Sequence, residues 1–188
     1  MSRWQPGAGG RLQRAAMELI SERGYDRTTV AEIAERAGLT ERTFFRYFAD
    51  KREVLFAGQD QFVALVVDAL TAAPPDAAPL DAVVAGLEAT TAWFDDARRA
   101  SARARQHVID AHPELQEREL IKMAGLSAAI ARALRERGAS GSAAALAAAA
   151  GVAAFLLAFG AWVADPDGND LGSHIRSAVA DLRAVATA

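Results

Sequence analysis

The chain has no cysteine in its 188 residues. That absence excludes a disulfide framework, a thiolate metal site and a cysteine nucleophile, and it fits a reducing cytoplasm. The opening MSRWQPGAGG lacks a basic-then-apolar pattern, so it reads as a flexible arm and not as a targeting segment. No stretch has a strand pattern, and no segment repeats. No nucleophile–base pair, glycine-rich phosphate loop or metal cluster stands out, which disfavours an enzyme. His107, Asp110 and His112 are the nearest approach to a ligand set. His112 lies five residues from His107 and beyond the break before Pro113, so no metal is expected there, and no other cofactor is implied.

Charge is missing from residues 143–164, AAALAAAAGVAAFLLAFGAWVA, a run long enough to cross a bilayer. Most of it is alanine, which is nearly neutral for insertion, and basic anchors are absent from its flanks. The run therefore reads as a helix buried on every side. Small residues at Ala147, Gly151, Ala154 and Ala158 permit close approach of other helices, and no membrane is expected. The net charge of −3 is unevenly spread. Residues 1–52 carry ten basic and seven acidic side chains, a balance of +3, whereas the remainder carries eleven against seventeen, or −6. The basic end is the candidate face for nucleic acid.

Apolar spacing and punctuation predict about nine helices and an all-α fold. The first runs from about Gly10 to Arg23 and closes at Gly24. Asp50 with Glu53 reads as a capping box opening one long fourth helix, which carries Leu55, Phe62, Val66 and Leu70 and ends at Pro74-Pro75. After the linker APPDAAPL a fifth helix covers Asp81 to Phe94, and Asp95 or Asp96 restarts the chain. A basic sixth helix runs from about Ala97 to Ala111, a seventh from Pro113 to Arg137, and a ninth, after the turn Asp165-Pro166-Asp167-Gly168, from Leu171 to Ala186.

Residues 28–52, TTVAEIAERAGLTERTFFRYFADKR, are the most informative stretch. Thr29 and Glu32 form a capping box for a helix from Val30 to Ala37, and Gly38 ends it. Thr40 caps a second helix that turns Phe44 and Phe48 inward and Arg42, Thr43, Arg46 and Tyr47 outward. Two short helices around a glycine turn make a helix-turn-helix, whose second helix enters the DNA major groove. From Arg11 to Gln59 the chain resembles the DNA-binding domain of TetR-type transcriptional regulators. The wording TFFRYF and the later HPELQERELIKMAGL look closest to the branch near mycofactocin-system regulators. The resemblance implies a helix-turn-helix domain over residues 1–52 and a helical ligand-binding and dimerisation domain over 53–188. It also implies a homodimer paired through the last two helices.

The chain so read is a ligand-responsive repressor that binds a near-palindromic double-stranded operator; a soluble helical enzyme and a membrane-associated helical protein are the rival readings. The expected DNA contacts are Thr28, Thr29, Thr40, Arg42, Thr43, Phe45, Tyr47 and Lys51. A threonine suits a base edge or a phosphate, Arg42 suits guanine, and Lys51 at a helix N-terminus suits a phosphate. TetR-type domains often have a small residue where Arg42 stands and a tyrosine where Phe45 stands, so a different base preference is expected. Trp93, Phe94, Arg103, His107, Met123, Phe155 and Phe159 are the candidate effector residues. The arginine-rich sixth helix suggests a partly apolar, anionic small molecule, with a solvated basic face as the alternative. Binding between the fourth and seventh helices would swing the fourth and change the separation of the reading heads.

Overall fold

The computed structural model describes residues 7–94 and 96–187; the arm at residues 1–6 and the restart at Asp95 lie outside them. Among the described residues there are nine α-helices and no strand. They are α1 (Ala8–Arg23), α2 (Val30–Arg36), α3 (Glu41–Tyr47), α4 (Gln59–Ala72), α5 (Pro79–Ala89), α6 (Asp96–Asp110), α7 (Pro113–Glu136), α8 (Gly141–Ala164) and α9 (Leu171–Thr187). Two compact units result. One holds the chain up to Gly58 together with Ala104–Glu119, the other Gln59–Arg103 with the chain from Leu120 onward. The first unit thus runs past residue 52 and takes in the end of α6 and the start of α7.

In the first unit α1 buries the stripe Leu12, Ala15, Ala16, Leu19 and Ile20, and Gly24 leaves the helix at a φ of 88°, a conformation open to glycine. The capping box of α2 forms as read: the Thr29 hydroxyl accepts from Glu32 N, and the Glu32 carboxylate accepts from Thr29 N at 2.9 Å. Gly38, at a φ of 66°, turns the chain into α3, and Thr40 accepts from Thr43 N. Phe44 and Phe48 then lie in one core with Ile33, Val54, Ile109 and Leu115.

The single long fourth helix does not form. Asp50 accepts from Arg52 N and Glu53 N, but the Glu53 carboxylate pairs with Arg118. A 3-10 turn at Arg52–Phe56 follows, and Gly58, at a φ of 89°, separates it from α4. Helical spacing continues through Leu55 and Phe62, so the pattern of apolar residues concealed the break.

The second unit is built on α5, which lies against α4 and α8. Glycine permits both approaches: a Cβ on Gly86 would lie 2.6 Å from the Val66 carbonyl oxygen, and one on Gly151 2.3 Å from Val83. Within one chain α8 is buried on one face only. Ala144, Ala147, Ala148, Gly151, Ala154, Phe155, Ala158 and Trp162 face the unit's own core, while Leu146 and Leu157 are each 71% exposed. An almost uniformly apolar helix has no amphipathic signal to say which face is which. A second stretch, Arg52–Ala72, also passes a length and hydropathy criterion for a membrane span, although Gly58 interrupts it.

Gly86→Ala should destabilise the protein by about 1 to 3 kcal/mol, because its new methyl meets a backbone oxygen that cannot move aside. Gly125→Ala, in α7 with nothing within 4 Å of its added methyl, should stabilise by up to about 1 kcal/mol through helix propensity. Denaturant melts at one protein concentration compare the two; equal signs would contradict this packing.

Candidate functional site

α3 carries the candidate reading face. It is held from behind by Phe44, fully buried, with Phe48 and Phe45 packed on its ring at centroid distances of 5.4 and 5.5 Å. Arg42, Thr43, Phe45 and Arg46 line a shallow groove on the opposite side. Phe45 is 54% and Tyr47 48% exposed, and Arg46 lies 5.2 Å from the centre of the Tyr47 ring. Arg42 has no hydrogen bond or ion pair among the described residues. Arg46, four residues from Arg42, completes a surface on which the sequence reading selected only the earlier arginine; its helical spacing was the available signal.

The threonines differ in how free they are. Thr40 and Thr43 share a hydroxyl contact of 3.1 Å at the exposed start of α3. Thr29 spends its hydroxyl on the Glu32 carboxylate at 2.7 Å. Thr28 is 1% exposed and donates its hydroxyl to Gly24 O at 2.9 Å. Its side chain fastens the turn between α1 and α2.

Lys51 also has internal partners. Its ammonium donates to Tyr25 O at 3.0 Å and to Thr28 O at 3.1 Å, and it lies 4.0 Å from the centre of the Tyr25 ring. Burial, helped by the Glu114 and Asp50 charges, pushes the Tyr25 phenol up to about 12. The ring therefore stays neutral and offers the cation its π face.

The α6–α7 corner closes the first unit. Arg105 donates to Leu55 O at 2.7 Å, lies over the Phe56 ring and sits 3.6 Å from Glu119; burial lowers its pKa while Glu119 opposes that shift. Arg118 pairs with Glu53, and His112 meets the Tyr25 ring edge-on. His107 belongs to this unit and is exposed, and Asp110 accepts from Gln106.

In the second unit Trp93, Phe94, Phe155 and Phe159 come together with Phe62 and Trp162, each ring within 6.4 Å of another. Met123 packs against the same core. Phe62 was read only as part of a helical stripe, since sequence spacing does not show that α4 and α8 bring their phenylalanines together. Arg103 donates to Val163 O at 2.7 Å, and Arg99 donates to Asn169 O at 2.6 Å while lying over the Trp162 ring. The arginines of α6 are thus occupied with backbone carbonyls, which neither the anion-site nor the solvated-face reading had anticipated.

Residues 12–57 match the model for bacterial regulatory proteins of the tetR family, and residues 77–187 match the MftR C-terminal domain. The chain belongs to the TetR family of transcriptional regulators, with a C-terminal domain of the MftR type. It is 30% identical over 126 residues to a putative mycofactocin biosynthesis transcriptional regulator, MftR, of Mycobacterium tuberculosis, covering 67% of this chain and 63% of that one. Other curated regulators that it matches, two of them from the same species, are spanned over 43% of their length or less. Its fold is similar to that of SmeT in complex with triclosan, SmeT being the repressor of the Stenotrophomonas maltophilia efflux pump SmeDEF. There the TM-score is 0.65, with 21% identity over 96% of this chain and 91% of that one. It is also similar to Thermus thermophilus FadR in complex with lauroyl-CoA, at a TM-score of 0.57 and 23% identity over 93% and 92%.

Lys51→Met should lower unfolding free energy by about 2 kcal/mol, the scale for hydrogen bonds from a charged donor, and weaken binding to every DNA sequence alike. The slope of log affinity against log salt should barely change. A slope smaller by about two per dimer with stability intact would instead put the ammonium on phosphates.

Proposed function

We propose that this chain is a cytoplasmic, homodimeric repressor that reads a near-palindromic operator with α3 and leaves it on binding a small effector. The observation that carries the reading is the two-sided α3: aromatic anchors behind, and on the open face Arg42 without a polar partner among the described residues, beside Arg46, Thr43 and the exposed rings of Phe45 and Tyr47. Arg42 suits the two acceptors of guanine, Thr40 and Thr43 suit a base edge or phosphate, and Tyr47 stands beside them. Thr28, Thr29 and Lys51 support this face by fixing the turn before α2, to which Lys51 ties the chain that follows α3.

The dimer is proposed through α8 and α9. Leu146, Ala149, Ala153, Leu157 and Gly160 recur at three- and four-residue spacing on the exposed, uncharged face of α8. A strip of this kind against its own copy satisfies a two-fold interface, and two α3 helices about 34 to 36 Å apart then meet successive major grooves. Ala154, on the inner face, is a poor probe because a charge there disrupts the subunit itself. Leu157→Arg should give a folded monomer with operator affinity reduced at least tenfold, whereas Arg42→Ala should stay dimeric, lose about 1 to 3 kcal/mol on the operator and lose far less on random DNA. Sedimentation and binding to both DNAs separate the cases. A Leu157→Arg dimer with intact affinity rules out this interface.

For the effector we propose a small molecule with an apolar part among Trp93, Phe94, Phe155 and Phe159 and an anionic group near Arg103, which uses one of its five N–H donors on Val163. Met123 belongs to the same core, and His107 is the weakest member of the set because it lies in the first unit. SmeT with triclosan and FadR with lauroyl-CoA are the fold's precedents for an apolar ligand. Lauroyl-CoA or a long-chain carboxylate should raise the melting temperature in a concentration-dependent way, less so for Arg103→Ala. A response confined to neutral or cationic compounds rejects the anionic group.

A further inference from the structure

We infer that Phe45 recognises a 5-methyl group in the operator: each half-site presents a thymine methyl to this ring, on the base pair next to the guanine taken by Arg42. The inference rests on the DNA reading above and extends it to base chemistry. On α3 and its C-cap residue three phenylalanines stand in five residues, and two of them are buried while Phe45 is 54% exposed. Phe44 holds the Phe45 ring edge-on, at an interplanar angle of 81°. The ring forms one wall of the groove it shares with Arg42, Thr43 and Arg46.

A phenyl ring neither donates to a phosphate nor reads a donor–acceptor pattern. On the major-groove edge the apolar feature among the four bases is the C5-methyl of thymine, and 5-methylcytosine presents the same group at the same place. Arg42 and Phe45 are three residues apart and share a helix face. Their separation along the axis is about 4.5 Å, near the roughly 3.4 Å step between stacked base pairs, so the two side chains reach adjacent base pairs. With Arg42 on a base edge beside it, the ring lies against bases and away from water.

The test uses the full-length dimer and an operator selected from random duplex DNA. Each thymine of the selected half-site is replaced in turn by deoxyuridine, which removes the methyl and nothing else. One position per half-site should lose about fourfold in affinity, the factor that one buried methyl-sized group gives. Phe45→Ala should abolish that difference and Phe45→Leu should retain part of it, with thermal melts of both variants matching the parent. At the same position a 5-methylcytosine pair should bind better than an unmethylated cytosine pair. A selected operator indifferent to every deoxyuridine, or a penalty unchanged in Phe45→Ala, overturns the inference while leaving DNA reading intact. A selection that enriches no sequence overturns sequence-specific reading, and the inference with it.

Discussion

Carbonyl oxygens at helix ends and in the turns between helices have no partner within a helix, and this protein meets many of them with long cationic side chains. Lys51 holds Tyr25 O and Thr28 O, Arg105 holds Leu55 O, Arg103 and Arg99 hold Val163 O and Asn169 O, and Arg137 reaches the carbonyls of Thr71, Ala73 and Pro74 at the end of α4 and just beyond it. At the ends of α4 and α8 a cation also matches the negative pole of the helix, and a bond from a charged donor is stronger than a neutral one. Each unit depends on these bonds because its helices turn sharply over few residues, and water does not replace them where the end is covered.

This use of charge explains where the sequence was legible and where it was not. The helix-turn-helix was legible nearly to the residue because its determinants are local: Thr29 with Glu32, Gly38, Thr40, and Phe44 with Phe48 at one turn's spacing. The destination of an arginine side chain is not local. Arg103 and Arg105 sit two residues apart on α6, yet one is bonded to a carbonyl sixty residues later and the other to one fifty residues earlier. Nothing in the run RRASARARQH distinguishes such residues from a solvated basic face.

α8 shows the complementary limit. Its composition identified it as helical, but alanine on all sides left open which side meets the body, and of the small residues first read as contacts for neighbouring helices in general, Gly151 accommodates Val83 of α5. The inner face is marked by Gly151, where Val83 leaves no room for a side chain, and the outer face by leucines that the subunit does not cover. The aromatic cluster was half legible for a related reason: each ring was visible as apolar, but its membership depends on helices far apart in sequence.

Ile109 and Leu115, both fully buried in the first unit, come from a stretch made long after its other members. Between Gly58 and Ala104 the emerging chain is occupied with the other unit. At about 5 to 20 residues per second on the ribosome, the N-terminal core therefore waits several seconds with an open side before its last two side chains arrive. During that interval the nascent helix-turn-helix exposes an apolar surface for which its own chain has not yet supplied the cover, so a fragment ending at Gly58 lacks two side chains of its own core.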